Sequence, residues 1–312
     1  MTVLVAGAFV RQHIEGRLPD WIEPRWFTSI EEMLELAPTA EIGWYDTYSI
    51  PDMAEAVRRS EQLKWLNSSY AGVELMPLDV LAERHVLFTG GAGINAIAIA
   101  EFVVMGMLNF AKGYRQIEHA QQRHEWLPDA PGKIELFGSK ALILGYGAIG
   151  QRVEKLLTAF DVQVTKVRRK AGEGALSPDQ WRSRLGEFDW IILSVPATPE
   201  TEKMIGADEL AAMKDSAVIL NVARGSVLDQ DALVAALQAK RIGGAFLDVT
   251  TPEPLPPGHP LWSFPNVQIT MHLSGRSQDR MFERAADRFL ENLQRFKNGE
   301  IPQPLVDLRQ GY

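Results

Sequence analysis

Residues 140–153 read KALILGYGAIGQRV and join a short apolar run to a helix-period segment through three glycines. The run Ala141–Leu144 has the length and content of a buried strand. Gly145, Gly147 and Gly150 follow in the G-x-G-x-x-G spacing. In a chain with 25 glycines the spacing alone says little. Placed after a strand and at the opening of a helix, it has a mechanism. Gly145 permits the tight turn, Gly147 lets backbone approach a pyrophosphate at the helix N-terminus, and Gly150 lets helix and strand pack closely. The alternative is a tight turn with no ligand.

Outward from this turn, short apolar runs alternate with helix-period segments from end to end, the pattern of a parallel α/β fold. Downstream strands are expected at 162–167 (VQVTKV), 190–196 (WIILSVP), 217–223 (AVILNVA), 243–249 (GGAFLDV) and 267–272 (VQITMH). Helices are expected between most of them. Residues 150–160 place Val153, Leu156, Leu157 and Phe160 on one face. Residues 176–185 offer Ser177 as N-cap, Pro178 at the first helical position and Gln180 to close a capping box. A third helix starts at an Asp229 cap and stops at Gly243. Upstream, strands are expected at 3–7, 41–44, 63–68 and 86–89, and Ser29 with Glu32 forms a capping signature before a helix.

The final helix pattern carries Met281, Phe282, Ala285, Phe289, Leu293 and Phe296 at three- and four-residue steps, with Gly299 after its last turn. The dinucleotide-fold pattern is complete before it. This segment is therefore expected to pack back on the N-terminal region. The fold class is α/β, with two Rossmann-like doubly wound domains. A discontinuous substrate domain takes 1–95 plus 284–312, and a dinucleotide-binding domain takes 96–283, with helical connections near 95–120 and 276–295 bridging them.

Bulk properties narrow the function. The chain has 312 residues, enough for about two sizeable cores. Its net charge of −8 argues against non-specific nucleic-acid or anionic-membrane binding as the main activity. It has no cysteine, which removes disulfides, thiolate metal sites and a cysteine nucleophile and fits a cytoplasmic location. The start, MTVLVAGAFVRQHIEG, has no basic n-region or long apolar core and reads as a first strand. The most apolar window, 95–110, is short for a bilayer span and contains Glu101, so a buried helix is expected.

In this acidic chain, VTKVRRK (164–170) concentrates Lys166, Arg168, Arg169 and Lys170. An isolated cluster of this kind is ordinarily a solvated loop. Here it falls at the end of the second strand after the glycine turn, where an NAD-binding unit keeps a carboxylate for the adenosine ribose. No Asp or Glu occurs from 162 to 172. A carboxylate there would repel a 2′-phosphate, whereas a guanidinium binds one with paired, charge-assisted bonds. Arg168, Arg169 and Lys170 are thus expected to favour NADP(H), with NAD(H) as the alternative.

Later strand ends turn polar. Arg224 closes AVILNVAR, Asp248 and then Glu253 follow GGAFLDV, and His272 ends VQITMH. Open α/β sheets bind ligands beyond the carboxyl ends of their strands, so these residues can converge. Taken singly, each has a bland reading as a structural histidine or a plain salt bridge.

The motifs LGYGAIG, SVPATPETEKMI, NVARGSVLDQDAL, GAFLDVTTPEPLP and ITMHLSG, in this order, together with GGAGINAIAIAEFVV, resemble the D-isomer-specific 2-hydroxyacid dehydrogenase family over nearly the whole chain. Departures are local: Thr250 and Thr251 in DVTTPEP, and Met271 where proline is common. The resemblance implies that Arg224 binds the substrate carboxylate and polarises the carbonyl. It makes His272 the acid–base group, with Glu253 holding the imidazole and favouring its charged form. It places Asp248 at the nicotinamide end. Tyr146, Ala148, Ile149, Val195, Pro196, Thr201, Val222, Ala223 and Ser274 join the glycines along the cofactor. NSSYAGVELMPLD (67–79) matches the substrate loop, making backbone N–H groups of Tyr70, Ala71 and Gly72 candidates for the substrate carboxylate.

Within the family the chain looks most like the glyoxylate/hydroxypyruvate reductase branch, from its basic cofactor loop, EPLPPGHPLW (253–262) and the short C-terminus ending QGY. That implies hydride transfer from NADPH to a small 2-oxo acid, giving the D-2-hydroxy acid, in a homodimer paired through the cofactor domain. Trp44 and Trp126 are candidates to line the pocket, the second from a partner subunit, with simple packing as the alternative for each. Other readings are a reductase for bulkier 2-oxo acids, a formate- or phosphite-type relative, and an NAD(P)H-sensing binding protein.

Overall fold

The computed structural model describes the chain except for residues 48, 73–75, 170, 171, 173 and 310–312. The described chain forms two compact units, Met1–Asn95 with Gln278–Tyr312, and Ala96–Ser277.

The first unit is built on a parallel sheet of β1 (Thr2–Gly7), β2 (Ile22–Phe27), β3 (Ile42–Trp44), β4 (Trp65–Asn67) and β5 (Leu87–Thr89) in the order β2-β1-β3-β4-β5. Helices α1 (Ala8–Ile14), α2 (Ile30–Leu36), α3 (Ile50–Arg59) and α4 (Leu78–Glu83) connect them. Strand β2 has no counterpart in the sequence reading because Pro24 interrupts its pattern. It survives as an edge strand, where one missing N–H is tolerated. The Ser29 cap forms: its hydroxyl accepts from the Glu32 N–H at 3.2 Å. The Glu32 carboxylate turns back to the Thr28 N–H and hydroxyl, which hold its carboxyl below the ordinary range.

In the second unit, α5 (Ala96–Lys112) and α6 (Tyr114–Gln122) precede the sheet. Strands β6 (Lys140–Leu144), β7 (Gln163–Val167), β8 (Ala175–Leu176), β9 (Trp190–Leu193), β10 (Val218–Asn221), β11 (Gly244–Leu247) and β12 (Val267–Ile269) are all parallel, in the order β12-β11-β10-β9-β6-β7-β8. Helices α7 (Ala148–Thr158), α8 (Ala207–Ala212) and α9 (Gln230–Gln238) alternate with them. This is the doubly wound order whose reversal beside β6 makes a ligand crevice. The apolar window becomes α5, whose buried face packs on this sheet through two glycines. A Cβ on Gly106 would lie 2.7 Å from the Phe246 ring, and one on Gly244 2.6 Å from Phe110. Among the described residues no single helix is long and apolar enough to cross a membrane.

The final helix, α10 (Met281–Lys297), belongs to the first unit. Ala285, Ala286, Phe289 and Leu293 are buried with Leu4, Val10, Trp44 and Trp65. The Phe289 ring lies 4.9 Å from Trp44 and 5.1 Å from Trp65. The return to this unit falls at Gln278 and not at 284, because the Gln278 amide donates to Asn95 at 2.7 Å and Arg284 donates to Gln278.

Three local expectations are corrected. Residues 176–185 are not an α-helix. Leu176 ends β8, the Ser177 N–H donates to Gln180 at 2.9 Å to close a turn, and a 3₁₀ helix spans Arg182–Glu187. Only Trp181 and Leu185 enter the core there, too few anchors to offset nucleation of a longer helix. Helix α9 ends at Gln238 because Lys240 adopts a left-handed φ of 53°; Gly243 instead sits against the Ser216 carbonyl. Phe160 lies beyond the end of α7 and is exposed.

Candidate active site

The glycine turn between β6 and α7 uses each glycine differently. Gly145 has φ +98°, and a Cβ there would lie 2.6 Å from the Ser194 carbonyl. A Cβ on Gly150 would lie 2.3 Å from the Gly145 carbonyl oxygen. A Cβ on Gly147 would meet nothing within 4 Å. Gly145 and Gly150 are therefore required by the fold, whereas Gly147 opens space beside the first turn of α7. That helix has no side-chain cap at Gly147, so its first N–H groups suit a phosphate. The turn fits the pyrophosphate of a dinucleotide, with Tyr146, Ala148 and Ile149 lining it by position.

Strand β7 ends at Val167, and Arg168, half-buried, then donates its N–H to the Leu176 carbonyl at 3.1 Å. Arg169 is exposed, and its charge helps hold the Glu200 carboxyl below the ordinary range, after the larger effect of the Thr198 hydroxyl. Lys170 lies outside the described residues. Lys166 is committed elsewhere. Its ammonium pairs with Glu154 at 3.0 Å and lies 4.4 Å above the Tyr146 ring, whose hydroxyl also donates to Glu154. The Glu154 carboxylate raises the titration of both Tyr146 and Lys166 above their ordinary values. This brace locks the side chain of the glycine turn onto α7 and β7.

At the other end of the edge, β10, β11 and β12 deliver Arg224, Asp248 and His272 from three adjacent strands. Asp248 is buried and organises the turn that carries the histidine. Its Oδ1 accepts from the Thr270 hydroxyl at 2.7 Å and from the Leu273 and Ser274 N–H groups at 3.1 Å each, and its Oδ2 accepts from the Ser274 hydroxyl. The His272 N–H donates to the Asp248 carbonyl at 2.6 Å. Met271 and His272 both have left-handed φ, 51° and 57°, a strained pair held by these bonds. The family resemblance implies a place for Asp248 at the nicotinamide end; the structure adds this clamp on the acid–base turn.

His272 Nδ1 lies 2.7 Å from Glu253 Oε2. An ionised carboxylate only accepts, so Nδ1 carries the proton and Nε2 is left for chemistry. Glu253 is itself fixed by the Thr250 N–H, which donates to Oε1 at 3.1 Å. The two threonines that depart from the family pattern have partners here. The Thr250 hydroxyl donates to the Pro252 carbonyl at 3.0 Å, and the Thr251 backbone exchanges bonds of 2.6 and 3.0 Å with the Gln230 amide.

Arg224 is positioned by Asn221, a residue the sequence reading passed over. The buried Asn221 side chain accepts from the Ala223 N–H and donates to the Arg224 carbonyl, both at 3.0 Å. The Arg224 guanidinium donates to the Ala223 carbonyl at 2.8 Å, and a Cβ on Gly225 would lie 2.1 Å from the Thr250 carbonyl oxygen. The arginine turn and the glutamate loop are thus in backbone contact. Val222 and Ala223 are buried beneath them. Val195 and Pro196 follow β9, and the Thr201 hydroxyl closes their loop on the Pro196 carbonyl at 2.7 Å. From β12 to β7 this edge crosses five inter-strand spacings, roughly 24 Å, room for an extended dinucleotide.

Tyr70, Ala71 and Gly72 lie in the first unit, after β4. The Tyr70 N–H donates to the Ser68 hydroxyl at 3.0 Å, and its phenol donates to the Thr47 carbonyl at 3.0 Å. Trp44 is fully buried against Phe9 and Phe289. Trp126 is 96% exposed and makes no core contact among the described residues of this chain.

Comparison with known proteins agrees with this geometry. Residues 104–274 match the D-isomer specific 2-hydroxyacid dehydrogenase, NAD binding domain family. The glyoxylate reductase of Thermofilum pendens is 32% identical over 81% of this chain and 78% of its own length. A D-isomer specific 2-hydroxyacid dehydrogenase family protein from Aeromonas salmonicida superposes with a TM-score of 0.87 at 27% identity, covering 98% of this chain and 99% of that one. The NADPH-dependent glyoxylate/hydroxypyruvate reductase of Sinorhizobium meliloti, solved with NADP and malonate, gives 0.77 at 25% identity, covering 99% and 98%. With its glycine turn, its Arg224, Glu253 and His272 on one sheet edge and these relatives, the chain belongs to the D-isomer-specific 2-hydroxyacid dehydrogenase family.

Proposed function

We propose that this protein reduces a small 2-oxo acid of the glyoxylate or hydroxypyruvate type with NADPH, giving the D-2-hydroxy acid. The observation that carries this reading is the His272–Glu253 pair at 2.7 Å, set two strands from the Arg224 turn on the edge that also holds the glycine turn. When bound, the nicotinamide supplies a hydride to C2. The Arg224 guanidinium binds the substrate carboxylate and draws charge from the carbonyl, a role its planar fork suits. His272 Nε2 gives its proton to the carbonyl oxygen, and Glu253 stabilises the imidazolium before that transfer and fixes the ring throughout. Amides of Ala71 and Gly72 are the further partners of the substrate carboxylate.

The choice of NADPH is supported by Arg168 and Arg169 at the end of β7, where no carboxylate stands in the sequence. The homodimer is supported by exposed Tyr114, Trp126, Ile134 and Phe137 on the second unit. A cytoplasmic location fits the cysteine-free chain. A spectrophotometric screen of NADPH oxidation with glyoxylate, hydroxypyruvate, pyruvate, phenylpyruvate and 2-ketoisocaproate tests the reading. Turnover is expected to be fastest with the first two. Turnover with none would favour the cofactor-sensing alternative, and a preference for the last two would move the substrate to bulkier acids.

A further inference from the structure

We propose that Asp46 is a positioning residue for substrate binding: its buried carboxylate, acting through Ser68, presets the loop whose Ala71 and Gly72 amides receive the substrate carboxylate. This rests on the function proposed above. Asp46 follows β3 and is 7% exposed. Its Oδ2 accepts from Trp44 Nε1 at 2.9 Å and from the Ser69 N–H at 2.6 Å; its Oδ1 accepts from the Ser68 hydroxyl at 2.6 Å. The Ser68 oxygen in turn accepts from the Tyr70 N–H at 3.0 Å. One carboxylate therefore orients three consecutive residues of the loop.

Other contacts fit the loop to that orientation. The Gly91 N–H donates to the Tyr70 carbonyl at 2.7 Å, and a Cβ on Gly91 would lie 1.9 Å from the Ser69 carbonyl oxygen. The N–H groups of Ser69 and Tyr70 are thereby engaged. Those of Ala71 and Gly72 meet no acceptor among the described residues. Burial pushes the Asp46 carboxyl above its ordinary range, and the Ser68, Ser69 and Trp44 donors pull it back. A neutral side chain would avoid that desolvation but could not accept all three bonds. In Asp46→Asn the amide oxygen can take the Trp44 and Ser69 donors. Its NH₂ then faces the Ser68 oxygen, so the Ser68 hydroxyl loses the acceptor that fixes its orientation and must turn to accept from both that NH₂ and Tyr70, which loosens the relay to the loop.

The test is steady-state kinetics with glyoxylate and NADPH on Asp46→Asn, Ser68→Ala and Ser60→Ala. Ser60 is a buried hydroxyl of the same unit, bonded to Tyr45 at 2.8 Å and not to the loop, so it controls for general loss of stability. The expected result is a glyoxylate KM raised about tenfold in the first two variants, with kcat and the NADPH KM within about twofold, and no change in the third. An unchanged KM in the first two, or an equal rise in all three, would overturn the role. A wild-type protein that turns over no 2-oxo acid overturns the proposed reaction and this role with it. An active wild type with unaffected variants overturns the positioning role alone.

Discussion

The first βα turn of each unit meets the same geometric problem and answers it in opposite ways. In the first unit α1 begins at Ala8, directly after Gly7, and a Cβ on Gly7 would lie 2.2 Å from the Phe9 ring. That ring packs at 5.1 Å from Phe282 and 6.3 Å from Trp44. In the second unit two further residues separate Gly145 from α7, and the space over Gly147 is open. A doubly wound fold supplies a helix N-terminus at both turns. What covers the turn decides whether a phosphate can use it. The rest of each edge follows suit. The second unit presents Arg168, Arg169, Arg224 and His272, while the first turns Asp46, Ser68 and Ser69 inward to shape a loop.

Substitutions can break or sharpen this contrast. The largest effect is expected at His272. His272→Ala should lower kcat by about 10²–10⁴ while leaving the NADPH dissociation constant unchanged, as read by tryptophan fluorescence titration. A parallel loss of cofactor affinity would mean that the two ends of the second edge do not act separately. Next is the filled turn. Phe9→Ala should cost about 2 kcal/mol in denaturant unfolding and leave nucleotide binding as it was. A new nucleotide site in that variant would show that the aromatic ring alone separates the two turns.

Gly147→Ala should weaken NADPH about tenfold with little change in the melting temperature of the free protein, since its Cβ enters open space. Gly145→Ala should instead lower that melting temperature, because its Cβ meets the Ser194 backbone at a positive φ. Equal behaviour of the two variants would contradict the division between fold and ligand glycines. The smallest effect is expected at the rim. Glu200→Gln should lower the NADPH KM by about twofold, by removing a carboxylate that shares the field of Arg169.

The glycine turn and the polar strand ends were legible because strand period and chemistry coincide there: an apolar run stops, and the next residues are Gly145, Arg168, Arg224, Asp248 or His272. What escaped depends on register between elements. The Lys166–Glu154–Tyr146 brace needs β7 beside β6 and α7 across them, so the basic cluster read from sequence contains one cation already paired inside the unit. Asn221 reads as the last residue of a strand until its side chain is seen holding Arg224. Asp46 and Ser68 stand far apart in sequence and meet only through the pairing of β3 with β4. The turn at 177–180 carries the local marks of a helix start, yet the chain that follows buries only Trp181 and Leu185 before Phe188 and stays a 3₁₀ helix.

The contrast between the two edges rests on the claim that the second is built for a phosphorylated nicotinamide cofactor. The most direct test is the ratio of kcat/KM for NADPH over NADH with glyoxylate, in the wild type and in Arg168→Asp. The expected result is a ratio well above one that falls by at least about tenfold in the variant. A wild type that prefers NADH, or a ratio unmoved by Arg168→Asp, would contradict it.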